Sequence, residues 1–176
     1  MKKRDAEALR DHLLETLPEE DAMLLRVIEA IPEDKLQWKP DAPKTRTAAE
    51  MALHSATAAV YFMNVVAGKR MDKGMPAQPA DRAGLVAAIR KIQKSYLKKL
   101  KSMDREELAA KVEFMGEKQP AITLLGWHVG HMIHHRAQLA LYLRLMGAKV
   151  PSTYGPSGDE EMTATPPVET PAEAKR

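Results

Sequence analysis

Residues 120–146 read PAITLLGWHVGHMIHHRAQLALYLRLM, and this stretch decides the fold. Its apolar residues recur every three or four positions, which is typical of a helix with one buried face. Proline suits the first turn of a helix, and a glycine such as Gly147 suits the residue after the last turn. The sequence therefore predicts one long helix from Pro120 to Met146. Four of the six histidines of the chain lie in it: His128, His131, His134 and His135.

Helical spacing limits which of these four histidines can bind the same metal ion. Residues three or four positions apart share a face, with Cβ atoms about 5–6 Å apart, so their imidazoles can share a metal ion. His128 and His135 lie roughly 10 Å apart along the axis and cannot share one. His131 belongs to every workable pair, with His128, His134 or His135. A single histidine here would more often be a polar residue bonded to a carbonyl or to water, but the cluster favours a metal site.

Two imidazoles need a further protein ligand to complete a typical zinc-type site. His54 lies in the helical, small-residue and apolar stretch 46–63, where an imidazole needs a partner. Taken alone it would more often be a core histidine with a hydrogen bond. A second helix with histidines makes a metal ligand the better prediction. His12 lies among charged residues near the N-terminus and is predicted to be on the surface.

With these residues the chain resembles the DinB/YfiT-like superfamily of four-helix-bundle proteins. The resemblance rests on the lone histidine of the second helix and on HMIHHRAQL at residues 131–139. It extends to LQWKP at 36–40 and GAKVPSTYG at 147–155, and it covers about residues 5–161. In that family a divalent metal ion is bound by the helix-two histidine and by two histidines of the last helix, four positions apart. The resemblance thus implies three metal ligands here: His54, His131 and His135.

The resemblance also implies a function. Characterised members include thiol-dependent transferases and isomerases, in which the metal binds a low-molecular-weight thiol as thiolate. This implies a metal-dependent enzyme that acts on a small-molecule substrate with a small thiol as cosubstrate. Arg136, next to a ligand, is a candidate for orienting an anionic substrate group, although it could equally pair with a carboxylate. The alternatives are a non-catalytic, stress-related metal- or ligand-binding protein and a metal-dependent hydrolase.

The composition limits the metal and the partners. The chain has no cysteine, so a transition-metal site must use His, Asp or Glu, and imidazole ligands suit zinc, nickel, iron or copper. The basic start, Met1–Arg4, is not followed by an apolar segment, and no apolar run reaches the roughly 18 residues of a membrane span. We therefore expect a cytoplasmic protein without a membrane partner. The basic outer face of the third helix has no interleaved aromatic residues, so nucleic acid is not favoured.

Apolar periodicity predicts three more helices, and thus an all-α, four-helix bundle. Pro18 predicts a kink or a break in the first helix. Thr47 and Glu50 predict a capping box at the start of the second, with a bond from Glu50 to His54 as the alternative. Residues 104–119 are predicted to be a connector with one short turn. The predicted bounds of the first three helices are 5–31, 47–67 and 81–103.

The composition changes again after Pro151, where turn residues and acidic residues replace the apolar periodicity. Residues 152–159 are rich in turn residues and are expected to fold back over the end of the bundle. We predict a bundle domain of residues 1–161 and a disordered C-terminal tail of residues 162–176. Bundles of the resembled family commonly pair, which implies a homodimer.

Overall fold

The structure is a computed structural model of the chain, and it describes residues 1–69 and 77–160. Four long helices within these residues form the predicted four-helix bundle, so the fold prediction is confirmed. A short 3-10 helix, Glu33–Lys35, follows the first of them. The helices are α1 (Lys3–Glu29), α2 (Ala48–Val66), α3 (Arg82–Ser102), the short α4 (Arg105–Ala109) and α5 (Ala121–Met146), and the strands are β1 (Lys111–Phe114) and β2 (Glu117–Pro120).

The long helices begin and end within two residues of the predicted positions. The predicted capping box is present, because the Thr47 hydroxyl accepts from the Glu50 N–H at 3.2 Å and the Glu50 carboxylate accepts from the Thr47 N–H at 2.8 Å. Pro18 does not break α1. It lies on the exposed side of the helix, next to the fully buried Leu17, so core packing outweighs the one lost backbone hydrogen bond.

The largest interface of the bundle joins α2 and α5. At one end of it the Tyr142 hydroxyl donates to the backbone carbonyl oxygen of Arg46 at 3.4 Å. At the other end the Phe62 and Trp127 rings are 6.4 Å apart. Residue numbers rise along α2 while they fall along α5, so the two helices are antiparallel. Side chains in the middle of this seam therefore face one another, and the middle contains His54 and the histidines of α5.

The predicted connector of residues 104–119 is wrong in part, because it contains a β-hairpin after α4. Strands β1 and β2 pair antiparallel, with Phe114 opposite Glu117. Met115 and Gly116 form the turn with φ of 53° and 84°, the left-handed conformation that a tight two-residue hairpin requires. Phe114 in turn packs its ring against Phe62 and Trp127, so the hairpin covers one end of the α2–α5 seam.

The segment after α5 folds back on the bundle as predicted. Arg26 donates to the backbone carbonyl of Ser152 at 3.0 Å and also pairs with the Glu160 carboxylate. Arg144 pairs with Asp159 at 2.6 Å. The predicted disordered tail, residues 162–176, lies outside the described residues. In the part of the chain that the structure describes, no helix is both long and apolar enough to cross a membrane.

Candidate metal centre

Helices α2 and α5 bring together the three histidines that the resemblance singled out. One potential ligand nitrogen from each of His54, His131 and His135 lies within 4.8 Å of the other two. The ring centroids are 4.3–4.8 Å apart. His54 and His131 are half-buried and His135 is 9% exposed, so the cluster lies at the edge of the core, open on one side. Among the described residues, no other group of three or more histidine or acidic side chains could hold a metal ion.

The donor set fits a divalent transition metal. Nitrogens that share a zinc ion in a tetrahedral site lie about 3.4 Å apart, so ring movements of about 1 Å would complete the coordination. Nδ1 of His131 is buried and has no hydrogen-bond partner by distance and angle in the described part of the chain, which leaves it available to a ligand. The Ser55 backbone still raises the pKa of this imidazole through a hydrogen bond. Three imidazoles also leave room for an external ligand.

Gln138 orients one of the three imidazoles. Its side-chain oxygen lies 2.6 Å from Nδ1 of His135. Because a carbonyl oxygen can only accept, the tautomer that satisfies this contact has the ring proton on Nδ1 and the lone pair on Nε2. Metal-binding histidines usually have such a partner on the nitrogen that faces away from the metal. Gln138 lies one turn after His135 on the same face of α5.

All three imidazoles have lowered pKa values, which keeps their lone pairs available at neutral pH. Burial is the largest cause for each, and it lowers the pKa of His54 and of His131 to about 4. The Arg46 guanidinium and the neighbouring imidazoles lower the pKa of His54 further. Burial likewise lowers the pKa of His135, partly opposed by its bond to Gln138. Since a metal ion binds neutral imidazole, the cluster needs no deprotonation step at pH 7.

The other histidines lie outside this cluster. His12 is exposed, as predicted. His134 is also exposed, and its ring lies beside that of His135 at 4.8 Å. His128 is fully buried on the inner side of α5, where its ring packs against Tyr96 at 4.8 Å. Spacing alone left His128 and His134 open as partners of His131, and the packing of α5 against α2 brings His135, rather than either of these, together with His54 and His131.

Arg136 is used in the core. It is 3% exposed, donates to the Glu20 carboxylate at 2.7 Å and lies 4.8 Å from the ring centre of Tyr154. Tyr154 in turn donates to the same carboxylate at 2.7 Å. Of the two roles considered for Arg136, the structure therefore shows the pair with a carboxylate. The guanidinium holds α1, α5 and the C-terminal segment together.

A partly exposed aromatic cluster lies at one end of the α2–α5 seam, and sequence reasoning missed it. It consists of Tyr61, Phe62, Phe114 and Trp127, whose rings pack edge-on or tilted at 5.3–6.4 Å. Trp127 is 44% exposed and Tyr61 38%. Trp127 lies one turn before His131, and Tyr61 lies two turns after His54, so both share a face with the histidines. One end of the candidate site is therefore an apolar wall.

The bundle and its three facing histidines define a class of protein: a helical bundle with a candidate metal centre between its second and last long helices. The family model described as the DinB family matches residues 1–170. The chain therefore belongs to the DinB family.

Solved structures agree with this assignment. A DinB-like protein from Bacillus cereus ATCC 10987 is 20% identical, with a TM-score of 0.71 over 82% of this chain and 97% of that one. YfiT from Bacillus subtilis, described as a probable metal-dependent hydrolase with an unusual four-helix bundle topology, is 18% identical, with a TM-score of 0.59 over 80% of this chain and 89% of that one. At such identities these similarities show the fold.

A curated relative matches more locally. The uncharacterized protein YrdA of Bacillus subtilis strain 168 is 36% identical over 53 residues, which are 30% of this chain. The match covers 32% of the length of that relative.

Proposed function

We propose that this protein is a metal-dependent enzyme in which His54, His131 and His135 bind one divalent ion of zinc, nickel or iron. The observation that carries the proposal is the convergence of three imidazoles from two facing helices within 4.8 Å, at the open edge of the core. Their lowered pKa values and the bond between His135 and Gln138 support it, since both favour neutral, oriented ligands.

The reaction that we propose is transfer of a small thiol to an electrophilic small-molecule substrate. A divalent metal ion bound by three histidines would lower the pKa of a coordinated thiol or water and so supply a nucleophile at neutral pH. The chain contributes no thiol of its own, because it has no cysteine, so the sulfur must come from a cosubstrate. The aromatic wall of Trp127 and Tyr61 is placed to exclude water and to contact apolar parts of the substrate.

Hydrolysis is the second candidate, and one observation favours it. YfiT, which shares the fold, is described as a probable metal-dependent hydrolase. The same three ligands would suit the activation of water, so the two reactions differ in the external ligand and not in the protein ligands. A non-catalytic binding protein would instead keep no coordination position for an exchangeable ligand.

Cobalt substitution separates these candidates. Thiolate coordination to cobalt produces a charge-transfer band in the near ultraviolet, and we expect glutathione, cysteine or coenzyme A to produce it, with release of a proton. His131→Ala is the control without a site, and His12→Ala is the matched control with an intact site. A response to carboxylate or phosphate but to no thiol would refute thiol transfer and favour hydrolysis. No response to any of these ligands would refute the enzyme proposal.

We propose residues 1–161 as the functional domain, a cytoplasmic location and a homodimer. The contacts of Asp159 and Glu160 with the bundle support a domain boundary near residue 161. Light scattering at micromolar concentration tests the dimer, and a monomeric mass would contradict it.

A further inference from the structure

Arg46 lies at the end of the seam opposite the aromatic wall. It immediately precedes Thr47, the N-cap of α2, and its backbone carbonyl accepts from the Tyr142 hydroxyl at 3.4 Å. Tyr142 lies two turns after His135 on the same face of α5, and His54 lies roughly 10 Å along α2 from the start of that helix. The backbone of Arg46 therefore lies on the side of the α2–α5 seam that contains the histidines.

The side chain of Arg46 is exposed, and no carboxylate of the described residues lies within salt-bridge distance of it. Within residues 1–69 and 77–160, every other arginine lies within salt-bridge distance of an acidic side chain, including the exposed Arg90 with Glu29 at 3.1 Å. The guanidinium is close enough to the cluster for its positive charge to lower the pKa values of all three imidazoles.

This charge balance is unusual for a site that accepts a divalent cation. With neutral imidazoles, a divalent ion at the half-buried histidines and the exposed guanidinium near them would together carry a charge of about +3. A cation beside a cation is unfavourable unless an anion accompanies the metal. The three imidazoles bring no negative charge, and the carboxylate closest to Arg46 along the chain, that of Glu50, already accepts the Thr47 N–H at 2.8 Å. An anionic external ligand would therefore balance the charge of the site.

We propose that Arg46 binds an anionic group of the small molecule that completes the metal site, so that the substrate or cosubstrate is an anion with a carboxylate or phosphate separate from its metal-binding atom. This inference rests on the proposed metal site. The planar guanidinium suits bidentate binding of either group. The molecule lies along the seam, with its anionic end at Arg46 and its apolar part towards Trp127.

The test compares pairs of ligands on the cobalt-loaded protein, and in each pair one member carries a carboxylate that the other lacks. The first pair is 3-mercaptopropionate and 3-mercaptopropionamide, and the second is the monohydroxamate of succinate and propionohydroxamate. Dissociation constants come from the visible absorption of cobalt. We expect the anionic member to bind about tenfold or more tightly to the wild-type protein. In Arg46→Gln this preference for the anionic member should disappear, while the affinities for cobalt and for the neutral member stay unchanged. Arg46→Lys should retain part of the preference. Arg90→Gln, which removes an exposed arginine of α3, is the matched control.

The outcomes separate the inference from the proposed function. Spectral changes without a charge preference, or a preference that persists in Arg46→Gln, would overturn the role of Arg46 and leave the metal site standing. Failure of the wild-type protein to bind cobalt, or to respond to either ligand pair, would overturn the proposed function and this inference with it.

Discussion

Asp21 offers a sharp test of how the core is built. It is 7% exposed in α1, and Oδ1 of its carboxyl has no hydrogen-bond partner among the described residues. Burial raises its pKa from 3.8 to about 7, against the lowering effect of Gln93. The protonated acid is therefore the form that this position favours. Asp21→Asn replaces the carboxyl with a neutral group of similar shape and removes the titration.

The expected magnitude follows from this pKa. Because the folded pKa is raised, the folded state holds a proton that the unfolded state has released between about pH 4 and pH 7, so the wild-type protein loses stability as pH rises through this range. At about 1.4 kcal/mol per pKa unit the full effect is on the order of 4 kcal/mol. Between pH 5 and pH 8 the change is about 2.5 kcal/mol. Asp21→Asn should therefore gain about that much relative to wild type over the same interval.

Urea denaturation followed by circular dichroism at pH 5, 6.5 and 8 measures this difference. The metal-free protein is used throughout, and comparison with wild type cancels the titration of the histidines. Asp34→Asn, which removes an exposed carboxylate of the 3-10 helix, is the matched control. A difference between Asp21→Asn and wild type that stays constant from pH 5 to pH 8 would refute the argument.

Three further predictions concern the rest of the bundle. Arg136→Met should lower the free energy of unfolding by about 1–3 kcal/mol, because it leaves the half-buried Glu20 carboxylate with the Tyr154 hydroxyl but without its cation, and the double variant with Glu20→Leu should recover most of the loss in urea denaturation. A loss under about 1 kcal/mol in the single variant would contradict this. His128→Gln should reduce the loss of stability as pH falls from 6.5 towards 4, because burial lowers the pKa of His128 to about 4, and the variant should still bind metal. An unchanged loss of stability between pH 6.5 and pH 4, or loss of metal binding, would contradict it. Deletion of residues 162–176 should leave the melting temperature unchanged by calorimetry, since Asp159 and Glu160 are retained, and a fall of more than about 5 °C would show that the tail stabilises the bundle.

The bundle could be predicted from sequence because its signals are local. Apolar spacing marks each long helix, and residues such as Thr47 and Gly147 mark its ends. The hairpin was missed because each of its strands has only four residues, too few for a clear alternation. A signal was nevertheless present. Met115-Gly116 follows a short alternating run that contains Val112 and Phe114, and a glycine in the second turn position is typical of two-residue hairpins.

The candidate site could be predicted in part. Spacing made His131 a member of every workable pair, but the choice between His128, His134 and His135 depends on which side of α5 faces α2, a property of packing between helices. The same limit applies to Arg136, whose sequence position next to a histidine does not reveal that Glu20 lies opposite it. The approach of Arg46 to the cluster also arises from tertiary contacts, such as the bond from Tyr142.

The metal content of protein purified without a His-tag tests the central claim most directly. Mass spectrometric metal analysis after extensive dialysis should find one divalent transition-metal ion per wild-type chain. His54→Ala, His131→Ala and His135→Ala should each lose most of it, because each removes one of three ligands. His12→Ala and His134→Ala should retain it. One ion per chain in His131→Ala would contradict the account, since no pair of histidines on α5 can bind a metal without that residue.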